Sequence, residues 1–222
     1  HMQSPDICAS ITSVDSVATA IAARDYVSLY EVRIDLIGPA WREVARDLPR
    51  PWIACNRIPS EGGEAAESEA ERTATLREAL ELGASIIDIE LCADGLSDVL
   101  SWAKGKVPVL VSYHDLTGTP QVDTLDDIVS RQCEAGADIN KVVTTAHGPA
   151  DNVTMLQLIR RHGEISMVSF AMGQQGFMSR VLAPLVGARF TYASLSEGRE
   201  AAPGQLTVGD LRSMYELLGV LA

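Results

Sequence analysis

The stretch GADINKVVTT, Gly136 to Thr145, carries the reading of the fold. Gly136 ends a helix-like segment, TLDDIVSRQCEAG, as glycine often does past a helix C-terminus. The apolar run that follows is short enough for a strand. An exposed strand would alternate apolar and polar residues, whereas a strand covered on both faces should be apolar throughout. Lys141 breaks the second pattern, because it shares its face with Ile139 and Val143. A lysine stem can carry its charge to water only where water is close. The segment therefore reads as a covered strand holding a lysine that needs a chemical reason.

Outward from this strand the same alternation recurs. β-rich runs (DICASIT, YVSLYEVRIDLI, PWIACNR, SIIDIEL, VPVLVSYHD, INKVVTT, ISMVSFAM, RFTYAS) are separated by helix-like segments such as SEAERTATLREALELG. That segment sets Leu76, Ala79, Leu80 and Gly83 along one face. Strand and helix repeated about eight times imply a parallel sheet, and eight units imply a closed (β/α)₈ TIM-type barrel. An open doubly wound sheet is the competing architecture, but no G-x-G-x-x-G follows the first strand. Nothing resembles a linker, so residues 1–222 read as one α/β barrel domain, with His1 and Met2 a cloning scar.

The 222 residues are 46% hydrophobic and 22% charged, enough for a full core, and carry a formal net charge of −12. Such a surface does not attract nucleic acid or an anionic membrane. Cys8, Cys55, Cys92 and Cys133 lie far apart, and read as buried free thiols in a reducing compartment. No targeting segment or long apolar run is visible, so a cytoplasmic protein is expected.

Barrel strands have no wet face, which makes their charges informative. In LYEVRIDL, period two sets Glu31, Arg33 and Asp35 on one face, toward the lumen or its mouth. A self-satisfied buried ion network is one reading of that row, and a functional site is the other. Ser10, Arg57 and His114-Asp115 fall at strand C-terminal ends, the face that carries barrel active sites. Desolvation disfavours an ammonium at Lys141, and a neutral amine there would attack carbonyls to form a Schiff base. An ion pair with Glu31 or Asp35 is the structural alternative. Glycine-bearing loops complete the mouth: SEGGE places Glu61 on a flexible segment beside Arg57, AMGQQGFMSR puts Arg180 near a helix start, and EAAPGQL presents Gln205.

Together EVRID, R-x-x-x-EGGE, SYHD, DINK, MGQQGFMSR and APGQ, in this order and nearly end to end, resemble type I 3-dehydroquinate dehydratase of the shikimate pathway. The resemblance implies a (β/α)₈ barrel hydro-lyase without metal or organic cofactor. It assigns imine formation with the ketone of 3-dehydroquinate to Lys141, and proton transfers to His114. It assigns support of the histidine to Glu61, the substrate carboxylate to Arg180, and further substrate contacts to Ser10, Glu31, Arg33, Arg57 and Gln205. Where many relatives carry a serine in the last loop, this chain has Ala201, one hydroxyl contact fewer.

The chemistry stands on its own terms. A protonated imine is an electron sink that acidifies the neighbouring C–H, and a β-hydroxyl can then leave with acid help. A class I aldolase or transaldolase would also use a barrel lysine, with a phosphate cradle in its last loops. A non-catalytic barrel binding a small acid would need no neutral lysine. The small residues of EAAPGQL suggest a lid that is loose without ligand. The resemblance implies a homodimer, for which the apolar LLGVLA terminus is a candidate surface.

Overall fold

The structure is a computed structural model and describes residues 4–49 and 51–221. The expected cloning scar, His1 and Met2, lies outside those residues. Eight strands run in parallel: β1 Ile7–Ile11, β2 Leu29–Arg33, β3 Trp52–Cys55, β4 Ile86–Glu90, β5 Val109–His114, β6 Ile139–Thr145, β7 Met167–Met172 and β8 Thr191–Ser194. The ladder runs β7-β6-β5-β4-β3-β2-β1-β8. Between its two ends, the Arg189 backbone N–H donates to the Met167 carbonyl at 2.8 Å, drawing the sheet toward closure. The architecture is the expected (β/α)₈ barrel.

The helices that follow the strands are α1 Val17–Ala22, α2 Ile34–Ile37, α3 Trp41–Asp47, α4 Glu69–Glu81, α5 Leu96–Ala103, α6 Val122–Ala135, α7 Pro149–Arg161, α8 Phe177–Leu182 and α9 Val208–Leu217. Helix α4 starts at a capping box between Ser68 and Glu71 and buries Leu76 and Ala79. Helix α6 stops at Gly136, whose φ of 101° is left-handed.

Period two sorts every strand into an outer and an inner set. Ile7, Ala9, Tyr30, Val32, Trp52, Ala54, Ile87, Ile89, Val109 and Val111 face the helices and join one large core cluster. Cys8, Leu29, Ile53, Ile86, Leu110, Ile139, Val168 and Tyr192 fill the lumen. Two residues further along the same strands come Ser10, Glu31, Cys55, Asp88, Ser112 and Lys141, all buried. The barrel thus has an apolar floor and a polar layer above it, toward the C-terminal strand ends.

Two expectations are corrected here. β2 ends at Arg33, and Asp35 lies in α2, outside the ladder. The backbone leaves the extended region at Arg33 (φ −82°, ψ 85°), so the alternation that aligned Asp35 with Glu31 stops one residue too soon. Cys8 and Cys55 are buried, but Cys92 and Cys133 are exposed, because they fall in the loop after β4 and on the outer face of α6.

Candidate active site

Lys141 sits midway along β6, its neighbours in register being Ser112 on β5 and Val168 on β7. It is 4% exposed. The amine is not isolated: Nζ lies 3.2 Å from Asp88 Oδ2, 3.8 Å from Glu31 Oε2 and 4.4 Å from the Tyr192 ring centroid. Of the two expected ion-pair partners Glu31 is present, while Asp35 instead binds Arg33 with both carboxylate oxygens. Gln132 from α6 donates to the Lys141 carbonyl at 2.9 Å and to that of Val111 at 3.0 Å, pinning this part of the barrel wall.

Asp88 is the hub beneath the lysine. It accepts from Arg57 at 2.7 Å and from the Ser112 hydroxyl at 2.7 Å, as well as from Lys141. Burial alone would raise its carboxyl, but the Arg57 and Lys141 charges outweigh that and hold it well below the usual carboxylate range. Arg57 also grips Glu90 at 2.9 Å, and Glu90 in turn meets Arg72 of α4 at 2.9 Å. Arg57 thus ties Asp88, Glu90 and Ser112 together while still bordering the cavity.

His114 is the last residue of β5, and its Nδ1 lies 2.8 Å from Glu61 Oε2. The same oxygen accepts the His114 backbone N–H at 3.1 Å, which marks it as an acceptor. The ring proton is accordingly assigned to Nδ1, leaving Nε2 as the basic nitrogen. Burial, then the positive charges of Arg57 and Lys141, push His114 well below 6.5, so the imidazole is neutral at pH 7. Glu61 itself is pushed up to about 7, chiefly by burial, with Arg57 opposing.

The loop that holds Glu61 is tight rather than flexible. A 3₁₀ turn, Pro59–Glu61, ends at Gly62 in the left-handed region. A Cβ on Gly63 would lie 2.0 Å from the Arg57 carbonyl oxygen, so only glycine allows the loop to fold onto Arg57.

Across the cavity Arg180 is 1% exposed and stacks over Phe170, 4.3 Å from the ring centroid. It belongs to the last turn of the six-residue α8 rather than to its start. Nη2 donates to the Pro203 carbonyl at 3.0 Å, whereas Nε and Nη1 are buried without a partner among the described residues. Burial without an acid pushes this guanidinium down to about 9, still charged at neutral pH. Its unpartnered N–H groups have the chemistry to receive an anion.

The EAAPGQL loop closes over the mouth and is docked. Arg33 Nη1 donates to the Ala201 carbonyl at 3.1 Å, and the Gly173 N–H donates to Pro203 at 3.0 Å. Gln205 accepts the Ala201 N–H at 2.8 Å and donates to Ser10 Oγ at 3.1 Å, and Ser10 passes a hydrogen bond to Glu31 at 3.0 Å. The expectation of a loose lid rested on side chains, whereas the contacts that hold this conformation are largely made by backbone groups.

Lys141, His114, Glu61, Glu31, Arg33, Arg57, Arg180 and Gln205 all border one cavity with about 540 Å³ of atom-free space, partly open to solvent. Ser10 joins through Gln205 and Glu31. Sequence reasoning missed Asp88, Glu90, Ser112 and Tyr192. The acids carry the same signal as Glu31 and Arg33, alternate charges in the apolar run SIIDIEL. Glu31, Cys55 and Asp88 could bring three ligand atoms within 4.8 Å of one another. They do not suit a dication: Asp88 and Glu31 already pair with cations, and burial keeps the Cys55 thiol protonated.

The profile of the family described as Type I 3-dehydroquinase matches residues 7–222. The chain is 38% identical over 214 residues to the 3-dehydroquinate dehydratase of Dehalococcoides mccartyi strain 195, covering 96% of each. Its fold is similar to that of the 3-dehydroquinate dehydratase of Geobacillus kaustophilus, at TM-score 0.85 and 26% identity over 98% of this chain and 92% of the other. The type I enzyme of Clostridium difficile, solved with covalent modified comenic acid, matches at TM-score 0.85 and 25% identity over 97% and 92%. A barrel with a buried amine, a neutral imidazole and a guanidinium lacking an acid partner among the described residues around one cavity, matched over almost its whole length, makes this chain a hydro-lyase that belongs to the type I 3-dehydroquinase family.

Proposed function

We propose that this chain, acting as one catalytic domain, dehydrates 3-dehydroquinate through a Schiff base on Lys141. The observation that carries the reading is the shared cavity: Lys141 and His114 on adjacent strands, with Arg180 buried and lacking an acid partner. Arg180 binds the substrate carboxylate, which replaces the missing counter-charge. Lys141 Nζ, having passed its ammonium proton to the His114 imidazole, adds to the ketone carbon. His114 returns that proton to the carbinolamine hydroxyl, which leaves as water to give the iminium. His114 Nε2 removes the neighbouring proton, and the electron pair moves into the enamine. The enamine then expels the β-hydroxyl, which takes the proton back from His114 and leaves as water. A second water hydrolyses the conjugated iminium, returning the amine and the enone. The net change is the loss of one water.

Glu61 accepts from Nδ1 and stabilises the imidazolium that forms in between. Glu31, Ser10 and Gln205 form a hydrogen-bonded row able to meet substrate hydroxyls. The covalent comenic acid in the Clostridium difficile enzyme supports a nucleophile in such sites. No cofactor enters this scheme. Borohydride added with 3-dehydroquinate should fix one ligand mass on Lys141, located by peptide mass spectrometry. Trapping on another lysine, or none in an active preparation, overturns the scheme.

The reading extends to a cytoplasmic homodimer with no nucleic-acid or membrane partner. Among the described residues, no helix is long and apolar enough to cross a membrane. Phe177, Met178, Leu217 and Leu218 are exposed and line an apolar groove between α8 and α9. A second copy covering this groove would bury them. Light scattering should give the dimer mass, and Leu217→Glu the monomer mass. A monomer in the unsubstituted protein at micromolar concentration rules the dimer out.

A further inference from the structure

Glu61 accepts hydrogen bonds from three groups, and only two of them belong to His114. The third is the Cys92 thiol, with Sγ 3.2 Å from Oε1, the oxygen that His114 leaves free. Cys92 lies two residues beyond β4, on the barrel rim that also carries Glu61 and His114. Although the residue as a whole is exposed, partial burial of its sulfur, then the Glu61 charge and its hydrogen bond, push this thiol up to about 12. It is therefore a standing S–H donor and a poor nucleophile. The charged groups that face Glu61 besides His114 and Cys92 are Arg57, which favours the carboxylate, and Glu90 and Asp88, which oppose it.

We infer that Cys92 is a positioning residue for the dehydration: its thiol holds the second oxygen of Glu61 and so keeps the carboxylate ionised and aligned on His114 Nδ1. The inference rests on the assignment of His114 as base and Glu61 as its support. A carboxylate held by one edge alone can rotate or take up a proton. Either change releases Nδ1 and lets the imidazole leave its basic tautomer. Hydrogen bonding to the charged form lowers a carboxyl group's pKa, so removing the thiol moves Glu61 further up.

Three variants test this. Cys92→Ala should lower kcat about three- to tenfold, from one charge-assisted hydrogen bond on a partly exposed group, and leave KM within about twofold. The acid limb of its kcat profile should move to higher pH. Cys92→Ser keeps a donor and should restore both the rate and the position of the limb. A purely structural role would lower thermal stability without moving the limb.

A readout independent of turnover comes from Glu61→Gln, which removes the negative charge beside the thiol. Iodoacetamide labelling of Cys92 at pH 8, followed by peptide mapping with Cys133 as internal control, should speed up about tenfold for each unit the thiol falls. Unchanged labelling in Glu61→Gln shows that the thiol does not touch Glu61 in solution and overturns the inference, whatever the enzyme's substrate. Folded Cys92→Ala with wild-type kcat and an unmoved acid limb overturns it as well.

Discussion

Gly204 is where the closing loop meets the turn after β7, and Gly204→Ala should separate docking from every other property of the site. Gly204 has a φ of +75°, and a Cβ there would lie 2.3 Å from the Gly173 carbonyl oxygen and 2.6 Å from its carbon. Those are backbone atoms, so no rotamer change relieves the contact. Alanine in the left-handed region costs about 1–2 kcal/mol before any clash is counted. Undocking lets the loop relax, at the loss of the Gly173–Pro203 hydrogen bond and of the Gln205 contact to Ser10. The backbone term alone lowers the docked population about five- to thirtyfold, at about 1.4 kcal/mol per factor of ten. If substrate binds productively only under the docked loop, KM rises by at least that factor. Gly198→Ala is the matched control, with φ of +76° and nothing within 4 Å of the added Cβ. It carries the same backbone strain without the clash against Gly173, so its KM should rise by less than that of Gly204→Ala. The assay is the enone absorbance at increasing 3-dehydroquinate, together with thermal unfolding to show that the barrel is intact. Equal KM values for the two alanine variants, or a wild-type KM for Gly204→Ala, would refute the docking argument.

Further outcomes follow from the same geometry. His114→Ala should lose about 10²–10⁴-fold in kcat with the fold retained, whereas His147→Ala should stay active, because His147 bonds a loop carbonyl, that of Thr117. Asp88→Ala leaves Arg57 and Lys141 without their shared anion, and breaking such a buried cluster costs about 3–5 kcal/mol, read as a drop in the denaturant midpoint. Activity should fall as pH drops through about 7, where Glu61 takes up a proton, and Glu61→Gln should abolish that limb. The His114 contribution to stability should also fall on acidification, opposed by Glu61, whose folded carboxyl, raised to about 7, gains stability as pH drops below that value. His114 is held below 6.5 in the folded state, so its contribution is present above the unfolded value and is lost as pH falls toward the lowered one. His114→Ala should remove that part of the slope between pH 6.5 and the acid transition. Ala201→Ser should lower KM severalfold if the added hydroxyl reaches substrate, one hydrogen bond being worth about 0.5–1.5 kcal/mol.

Much of this protein was legible in its residues alone, because the rules involved are local. Strand period is two, so a charge in an apolar run announces a lumen position whatever lies across from it. Lys141 and Glu31 were found that way, His114 by its place at a strand's C-terminal end, and Asp88 and Glu90 carried the identical mark in SIIDIEL. The barrel itself followed from the count and order of strand and helix runs. What lay beyond such rules depends on groups far apart in the chain. Asp35 left the lumen row because the backbone turned at Arg33, one dihedral angle that no periodicity reports. The pairing of Lys141 with Asp88 spans 53 residues and depends on the register of β4, β5 and β6 as the sheet curves. The closing loop looked loose because its side chains are small, yet its hold comes from backbone hydrogen bonds to Gly173 and Arg33. Sequence determined which side chains enter the lumen, since that is set by each strand alone. Tertiary structure decided which of them touch, because only closure of the barrel brings buried charges near enough to set one another's ionisation.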